Sequence, residues 1–147
     1  MIRNARKTDI PALLALEDAC FPSDGWREGS LASHLADPDA YTRVCEVNGR
    51  VVASFLGKLL PPEAEIYRVA THPDARRMGY GAALLRDFVA FCSDRGCDRL
   101  FLEVRASNAA ARALYVAGGF SECGKRPRYY RHPTEDAILY TYRKGED

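Results

Sequence analysis

Two arginines and two glycines stand together in the stretch "RRMGYGA", directly before a segment whose apolar residues have helical spacing. The first N–H groups of a helix lack partners and carry partial positive charge, so phosphate binds there readily. Gly79 and Gly81 would let a phosphate approach the backbone, and Arg76 and Arg77 could add charge-assisted contacts. The stretch therefore predicts a pyrophosphate cradle. The alternative is a tight strand–helix turn with solvated arginines.

The spacing of this stretch disfavours two common nucleotide sites. It does not follow the GxGxxG pattern of dinucleotide-binding domains, and no GKS or GKT sequence completes a P-loop. A strand-like segment, "EIYRVATH", precedes the cradle, and Pro73 lies at its exit. The cradle therefore belongs to a different kind of strand–turn–helix unit.

The stretch "LEVRASNAAARALYVAGGF" resembles the core of the Gcn5-related N-acetyltransferase (GNAT) superfamily. The Q/R-x-x-G-x-G/A pattern of that superfamily is met here by Arg76, Gly79 and Gly81. More narrowly, the chain looks like the bacterial ribosomal-protein alanine N-acetyltransferases. Three pieces match: "VATHPDARRMGYGAALL", the stretch "LEVRASNAAARALYVAGGF" and the tail "RYYRHPTEDAIL". The resemblance covers most of residues 64–140, and the preceding residues match only in outline.

The resemblance implies acetyl-coenzyme A (acetyl-CoA) as co-substrate and no metal. The strand before the cradle would pair with the pantetheine arm and supply N–H groups to an oxyanion. Asn108 has two interpretations, an ordinary helix N-cap and a contact to the cofactor. The expected acetyl-CoA contacts are Val69, Ala70, Thr71, Arg76, Arg77, Met78, Gly79, Tyr80, Gly81, Ala82 and Asn108.

Two residues of the resembling stretch are expected to carry the proton transfers. Glu103 lies on a predicted strand where the family places its general base, and Tyr115 lies where it places the donor to the leaving thiolate. Without the resemblance, Glu103 would be interpreted as a surface carboxylate and Tyr115 as a core aromatic. An amine must lose a proton before it attacks a thioester, and a carboxylate can accept that proton. No covalent enzyme intermediate is required.

The expected acceptor is a protein N-terminus, in particular the N-terminal alanine of a ribosomal protein. Tyr129 and Tyr130, in the basic and aromatic stretch "RPRYYRHP", are the expected substrate contacts, with a solvated hairpin tip as the alternative. Arg68 and the polar segment "FPSDGWREGS" depart from the family pattern where substrate should enter. Two alternatives remain open, an acetyltransferase of small-molecule amines and a non-catalytic sensor that binds coenzyme A.

Composition sets the remaining expectations. The 147 residues predict a single domain over 1–147, and the resemblance implies that it is an N-acetyltransferase domain. The formal net charge of +1 gives no basic footprint for nucleic acid. No apolar run suits a signal peptide or a membrane span, so we expect a cytoplasmic protein without a membrane partner, as monomer or homodimer. Five cysteines without a CxxC pair and three scattered histidines predict buried thiols and no metal site.

The pattern of elements predicts helices and antiparallel strands followed by an alternation of strands and helices. A first helix is expected from a Thr8 cap, through Pro11, to Cys20, and a second from Arg27 to Ala36. Asn48-Gly49 predicts a type I′ hairpin. Later expectations are the strand "EIYRVATH", a helix from Gly81 to Arg95-Gly96, the strand "DRLFLEVR", a helix from Asn108 to Gly118-Gly119, and the strands "FSECGKR" and "DAILYTYRK" around the loop "RPRYYRHPTED".

Together these elements predict an α+β fold of three layers. The resemblance implies the GNAT fold, a mixed and mostly antiparallel central sheet of about seven strands with about four flanking helices. Within the predicted strand "LFLEVR", Leu100, Leu102 and Val104 should face one side of the sheet. Glu103 and Arg105 should then face the other side.

Overall fold

The computed structural model describes residues 1–145. After a short first strand, its elements follow the predicted order. The strands are β1 (Ile2–Asn4), β2 (Ala40–Val47), β3 (Arg50–Leu60), β4 (Glu63–Thr71), β5 (Arg99–Arg105), β6 (Ser121–Tyr130) and β7 (Glu135–Arg143). The helices are α1 (Ile10–Cys20), α2 (Glu28–Ala36), α3 (Tyr80–Asp94) and α4 (Ala109–Ala117).

The strands form one sheet in the order β1-β2-β3-β4-β5-β7-β6. Neighbouring strands are antiparallel except β4 and β5, which are parallel. Helix α3 connects these two, as the crossover of a parallel pair requires. The predicted fold class is therefore confirmed: a mixed, mostly antiparallel sheet of seven strands with four helices.

Helices cover both faces of the sheet and produce the three predicted layers. On one face α3 and α4 cover the larger core, where the rings of Phe55 and Phe88 lie 4.8 Å apart. On the other face α1 and α2 cover a smaller cluster that includes Leu13, Leu31 and Leu56. Phe55 and Leu56 are consecutive on β3, so the alternation of a strand supplies both cores.

The hairpin between β2 and β3 forms as predicted. Asn48 (φ 52°) and Gly49 (φ 77°) both lie in the left-handed region, as a type I′ turn requires. The predicted ends of α1 and α2 at Cys20 and Ala36 are also confirmed. Local turn and cap chemistry determines these boundaries, which is why the sequence could predict them.

The predicted cap of α1 was wrong. Thr8 lies inside a short 3-10 turn, Lys7–Asp9, and α1 begins after Asp9. The Asp9 carboxylate accepts hydrogen bonds from the backbone N–H of Arg6 at 2.7 Å and from the Arg3 guanidinium at 2.8 Å. Asp9 occupies the N-cap position of α1, although its side chain makes no capping hydrogen bond to that helix.

The predicted loop "RPRYYRHPTED" was also wrong in extent. Strand β6 continues through it to Tyr130, and its register with β7 is irregular between Arg126 and Tyr130. Pro127 has no N–H to donate, and Arg128 adopts a left-handed φ of 54°. These two residues create an irregularity within the strand instead of ending it.

The parallel strands β4 and β5 separate in the middle of the sheet. Their pairing runs from Glu63 and Arg99 to Ile66 and Leu102 and stops there, although both strands continue. The backbone of β4 beyond Ile66 therefore has no strand partner on the side of β5. This gap positions the site described below.

A bulge in β4 lies at the beginning of the gap. Arg68 pairs with Leu56 and Ile66 pairs with Gly57, so Tyr67 is the extra residue. Tyr67 packs against the smaller cluster, and the next residue, Arg68, forms an ion pair with helix α1. The bulge thus turns two consecutive side chains toward the same face of the sheet.

Candidate active site

The start of α3 has the geometry expected of an anion site. Gly79 is the N-cap residue with a φ of 84°, and it places no side chain over the helix end. Arg77 also adopts a left-handed φ of 66°. The first N–H groups of the helix therefore face outward beside exposed arginines, a setting that fits a pyrophosphate.

A cleft of about 860 Å³ opens at this helix end, between the separated strands and the neighbouring loops. It is lined by all of the predicted acetyl-CoA contacts except Met78, whose side chain is 65% exposed. The lining contacts are Val69, Ala70, Thr71, Arg76, Arg77, Gly79, Tyr80, Gly81, Ala82 and Asn108. The cleft combines a positive helix end, suited to a pyrophosphate, with an unpaired strand edge and apolar walls, suited to an extended pantetheine arm.

The strand edge of the cleft is braced from two directions. The carbonyl of Thr71 accepts hydrogen bonds from Arg76 Nε at 3.2 Å and from Cys20 Sγ at 3.3 Å. These contacts connect the end of β4 to the cradle and to the end of α1. The edge of β4 is thereby held in place beside the start of α3.

Asn108 is the N-cap of α4, as one of its two interpretations required. Its Oδ1 accepts a hydrogen bond from the backbone N–H of Ala111 at 3.1 Å. The residue also lines the cleft. The capping role is confirmed, and the contact to acetyl-CoA stays a prediction.

Glu103 lies outside the lining of the cleft, on the face of β5 that the alternation predicted. Its carboxylate is 23% exposed and lies 3.4 Å from Arg126 Nε of β6. The Tyr129 hydroxyl interacts with the same carboxylate and has a raised pKa for that reason. The pKa of Glu65 on the adjacent strand is raised by burial and by the charge of Glu103. Two carboxylates and a tyrosine thus gather on one face.

Tyr115 is buried in α4, with 5% of its surface exposed, against Phe120 and Tyr140. Burial raises the pKa of its hydroxyl, and the nearby hydroxyl of Tyr130 raises it further, whereas Arg68 lowers it. The hydroxyl therefore stays protonated around neutral pH. A protonated tyrosine in this setting can donate a proton to a developing anion.

The predicted catalytic and substrate residues form a second group beside the cleft. Burial raises the pKa of Tyr130 to about 12, and the Glu103 carboxylate and Tyr129 contribute to that rise. The Tyr129 and Tyr130 rings lie 5.1 Å apart. Glu103, Tyr115, Tyr129 and Tyr130 are thus linked through Tyr130, and none of them lines the cleft itself.

Arg68 lies between the cleft and the group of predicted catalytic and substrate residues. The sequence marked it only as a departure from the family pattern. Its Nε donates to the Glu17 carboxylate at 3.1 Å, and its Nη2 donates to the Asp24 carbonyl. Its guanidinium carbon lies 3.8 Å from the centroid of the Phe21 ring. Arg68 therefore attaches the loop after α1 to the strand that borders the gap.

Sequence reasoning missed a second arginine, which was placed on the same face as Glu103 but given no role. Arg105 lines the cleft, and its guanidinium lies 4.6 Å from the Tyr130 ring. It pairs with Asp24 and Glu135, which also line the cleft. No local pattern in the sequence marked this contact, because Asp24 and Arg105 are 81 positions apart.

The cysteines correspond only in part to the predicted buried thiols. Cys45, Cys92 and Cys97 are buried, whereas Cys20 is partly exposed and Cys123 is exposed. The structure contains no disulfide among residues 1–145, and no cluster of His, Cys, Asp or Glu in that range could hold a metal ion. Within the same residues, no helix is long and apolar enough to span a membrane.

The fold and the cleft are those of an acetyltransferase that uses acetyl-CoA. The acetyltransferase (GNAT) family matches residues 10–120, and the chain belongs to this family of acetyl-CoA-dependent N-acetyltransferases. The chain is 38% identical over 144 residues to the [Ribosomal protein bS18]-alanine N-acetyltransferase of Escherichia coli K12, with 94% of this chain and 93% of that protein covered. It is 34% identical to the N-alpha-acetyltransferase RimI of Mycobacterium tuberculosis, with 94% and 87% covered.

A solved structure supports the same assignment. The crystal structure of the ribosomal-protein-S18-alanine N-acetyltransferase from Escherichia coli superposes with a TM-score of 0.91 at 34% identity. The alignment covers 100% of this chain and 95% of that chain. The first 60 residues, which resembled the family only in outline at the level of sequence, are therefore part of the common fold.

Proposed function

We propose that the enzyme transfers the acetyl group of acetyl-CoA to a protein N-terminal α-amine, in particular the N-terminal alanine of a ribosomal protein. The observation that carries the proposal is the placement of Glu103, Tyr129 and Tyr130 beside the cleft. This group can receive an amine from one side of the separated strands while acetyl-CoA enters from the other. The similarity to the alanine N-acetyltransferase of E. coli over nearly the whole chain supports the choice of acceptor.

Glu103 acts as the general base in this proposal. A terminal α-amine has a pKa of about 8 and a lysine amine one of about 10.4, so an α-amine is more often neutral near pH 7. The Glu103 carboxylate accepts the proton that the α-amine must lose, directly or through a water, as the amine attacks the thioester carbonyl. Arg126, whose Nε lies 3.4 Å from the carboxylate, and Tyr129 help to hold Glu103 in position.

Two anions develop in the reaction, the oxyanion and the departing thiolate. The unpaired part of β4 stabilises the first, and Tyr115 protonates the second. The predicted oxyanion donors are Val69, Ala70 and Thr71, on the part of β4 that β5 does not pair with. N–H groups alternate in direction along a strand, and the His72 N–H donates to the Val52 carbonyl of β3. Val69 and Thr71 therefore direct their N–H groups toward the gap, and Ala70 directs its own toward β3. Tyr115 donates its proton to the departing thiolate. The transfer is uphill, because the thiol pKa of about 8.5 lies below that of tyrosine, so it depends on Tyr115 lying within hydrogen-bond reach of the sulfur.

A panel of acceptors tests the proposal. The enzyme is expected to acetylate peptides that begin with a free N-terminal alanine. It should leave the same peptides unmodified when the N-terminus is blocked and an internal lysine is present. Release of coenzyme A and mass spectrometry of the products measure the outcome. Turnover confined to small amines would assign the enzyme to that class instead, and binding of acetyl-CoA without any turnover would favour a sensor.

Tyr115→Phe is expected to lower kcat about tenfold to a hundredfold while leaving the Kd of acetyl-CoA unchanged, the loss typical of a proton donor. Phenylalanine fills the same buried space beside Phe120, so the melting temperature should change little. Steady-state kinetics and calorimetric titration measure the two quantities. Tyr142→Phe is the matched control, because Tyr142 is a partly buried tyrosine on β7 that does not line the cleft. A Tyr115→Phe enzyme as fast as the control would exclude the proton-donor role.

A further inference from the structure

The guanidinium of Arg105 is saturated with partners. Its Nε and Nη2 donate to the two carboxylate oxygens of Asp24 at 2.6 and 2.8 Å. Its Nη1 donates to Glu135 Oε1 at 2.9 Å and to the Pro133 carbonyl at 3.0 Å, and its Nη2 also donates to the Arg131 carbonyl at 2.8 Å. The side chain is only 16% exposed, so these contacts are partly shielded from water.

The partners of Arg105 belong to two segments far apart in the sequence. Asp24 lies in the loop 21–27 between α1 and α2, and the others lie in residues 131–135, the turn after β6 and the first residue of β7. Residues of both segments line the cleft. We call the space between the two segments the entrance, and Arg105 with Asp24 and Glu135 the clamp. One guanidinium on β5 thus connects both walls of the entrance.

The clamp is coupled to the proposed catalytic group. Arg105 and Glu103 are two residues apart on β5 and face the same side of the sheet. Between them, Tyr130 lies under the Arg105 guanidinium, and Tyr129 contacts both Tyr130 and Glu103. The wall formed by residues 131–135 therefore adjoins the proposed catalytic group, while Glu103 itself stays anchored on β5.

Each wall also has an attachment that does not involve Arg105. The loop 21–27 has a second attachment, because Arg68 on β4 donates to the Asp24 carbonyl. Glu135 has a second partner as well, since its Oε2 accepts from the backbone N–H of Ser107 at 2.5 Å. Removal of the Arg105 side chain should therefore leave each wall attached to the sheet but not to the other wall.

We propose that Arg105 is a positioning residue that fixes the distance between the two walls of the entrance and so sets the affinity for the acceptor peptide. The inference rests on the proposed function, because it takes the entrance as the path of the peptide. Both walls also line the acetyl-CoA cleft, so the Kd of acetyl-CoA, expected to be unchanged when Arg105 is replaced, is the readout that separates the two ligands. Without the guanidinium, the carboxylates of Asp24 and Glu135 would face each other without a shared cation, and their repulsion would widen the entrance. The acceptor would then be bound in a less ordered position.

Arg105→Gln is expected to raise the KM for an alanine peptide of about ten residues roughly tenfold, the cost of losing one charge-assisted network. The kcat should fall less than about threefold, because the lost interaction orders the bound peptide and is not confined to the transition state. Arg105→Lys keeps the charge but not the planar fork, so its KM should lie between those of Arg105→Gln and the wild type. Arg99→Gln, an exposed arginine at the other end of β5, is the control and should match the wild type.

Hydrogen exchange gives a readout that does not depend on the acceptor. In Arg105→Gln, amides of residues 21–27 and 131–135 should exchange faster than in the wild type and in Arg99→Gln. Unchanged exchange, or an unchanged KM in a variant with normal melting, would overturn the proposal. A large loss of kcat at constant KM would overturn it as well, because Arg105 would then act on the chemistry.

The two proposals can fail separately. If the wild-type enzyme acetylates only small amines, the proposed acceptor is wrong, and the KM for those amines together with the exchange data still decides the role of Arg105. A double variant adds a second test. If Asp24→Asn and Arg105→Gln act through the same contact, their combined effect on KM should be smaller than the product of the single effects.

Discussion

Glu103→Gln is expected to lower kcat about a thousandfold while the Kd of acetyl-CoA stays within about twofold of the wild type, as loss of a general base should. Glutamine keeps the size of the side chain and its place on β5 but cannot accept a proton. The ion pair with Arg126 is lost at little cost in stability, because the Arg126 side chain is 57% exposed. Steady-state kinetics over pH and calorimetric titration of acetyl-CoA measure both effects.

The dependence on pH distinguishes a base from a residue that merely holds the site together. As pH rises, more of the α-amine loses its proton without help, so the deficit of Glu103→Gln should shrink. Glu65→Gln is the matched control, since Glu65 is the neighbouring carboxylate on β4 and its raised pKa makes it a competing candidate for the base. If Glu103→Gln keeps full rate across pH and Glu65→Gln does not, the proton acceptor is Glu65.

Features that depend on neighbouring residues could be predicted from the sequence. The turn into α3 is an example, because Gly79 can adopt a left-handed φ and the helix that follows it is clear from the spacing of its apolar residues. The hairpin at Asn48-Gly49 and the Asn108 cap are others. The alternation along β5, which places Glu103 and Arg105 on one face, follows from the period of any strand.

Features that depend on distant residues could not be predicted in this way. The contact between Asp24 and Arg105 joins residues 81 positions apart, and the contact between Arg105 and Glu135 joins residues 30 positions apart. Which acidic residue an arginine meets is decided by how the sheet brings loops together. Strand β1 has only three residues, too few for an alternating pattern to be visible.

Gly79→Val is expected to weaken acetyl-CoA binding on the order of 10- to 100-fold, because a left-handed φ costs a β-branched residue about 1–3 kcal/mol and the loop will relax to avoid it. A φ of 84° at the N-cap is what directs the first N–H groups of α3 outward. A Cβ atom added at this position would meet no neighbouring atom within 4 Å, so the effect comes from the backbone and not from a clash. Calorimetric titration of acetyl-CoA measures the loss.

Gly49→Val separates the loss of binding from the general cost of strain. Gly49 has nearly the same conformation, with a φ of 77°, and equally open surroundings, but it lies in the β2–β3 hairpin away from the cleft. Both variants should melt at a lower temperature than the wild type, whereas only Gly79→Val should lose affinity for acetyl-CoA. A Gly79→Val variant that binds acetyl-CoA as tightly as the wild type would contradict the cradle, because the strained loop would then not be the segment that binds pyrophosphate. Equal losses would mean that strain anywhere in the sheet disturbs the cleft.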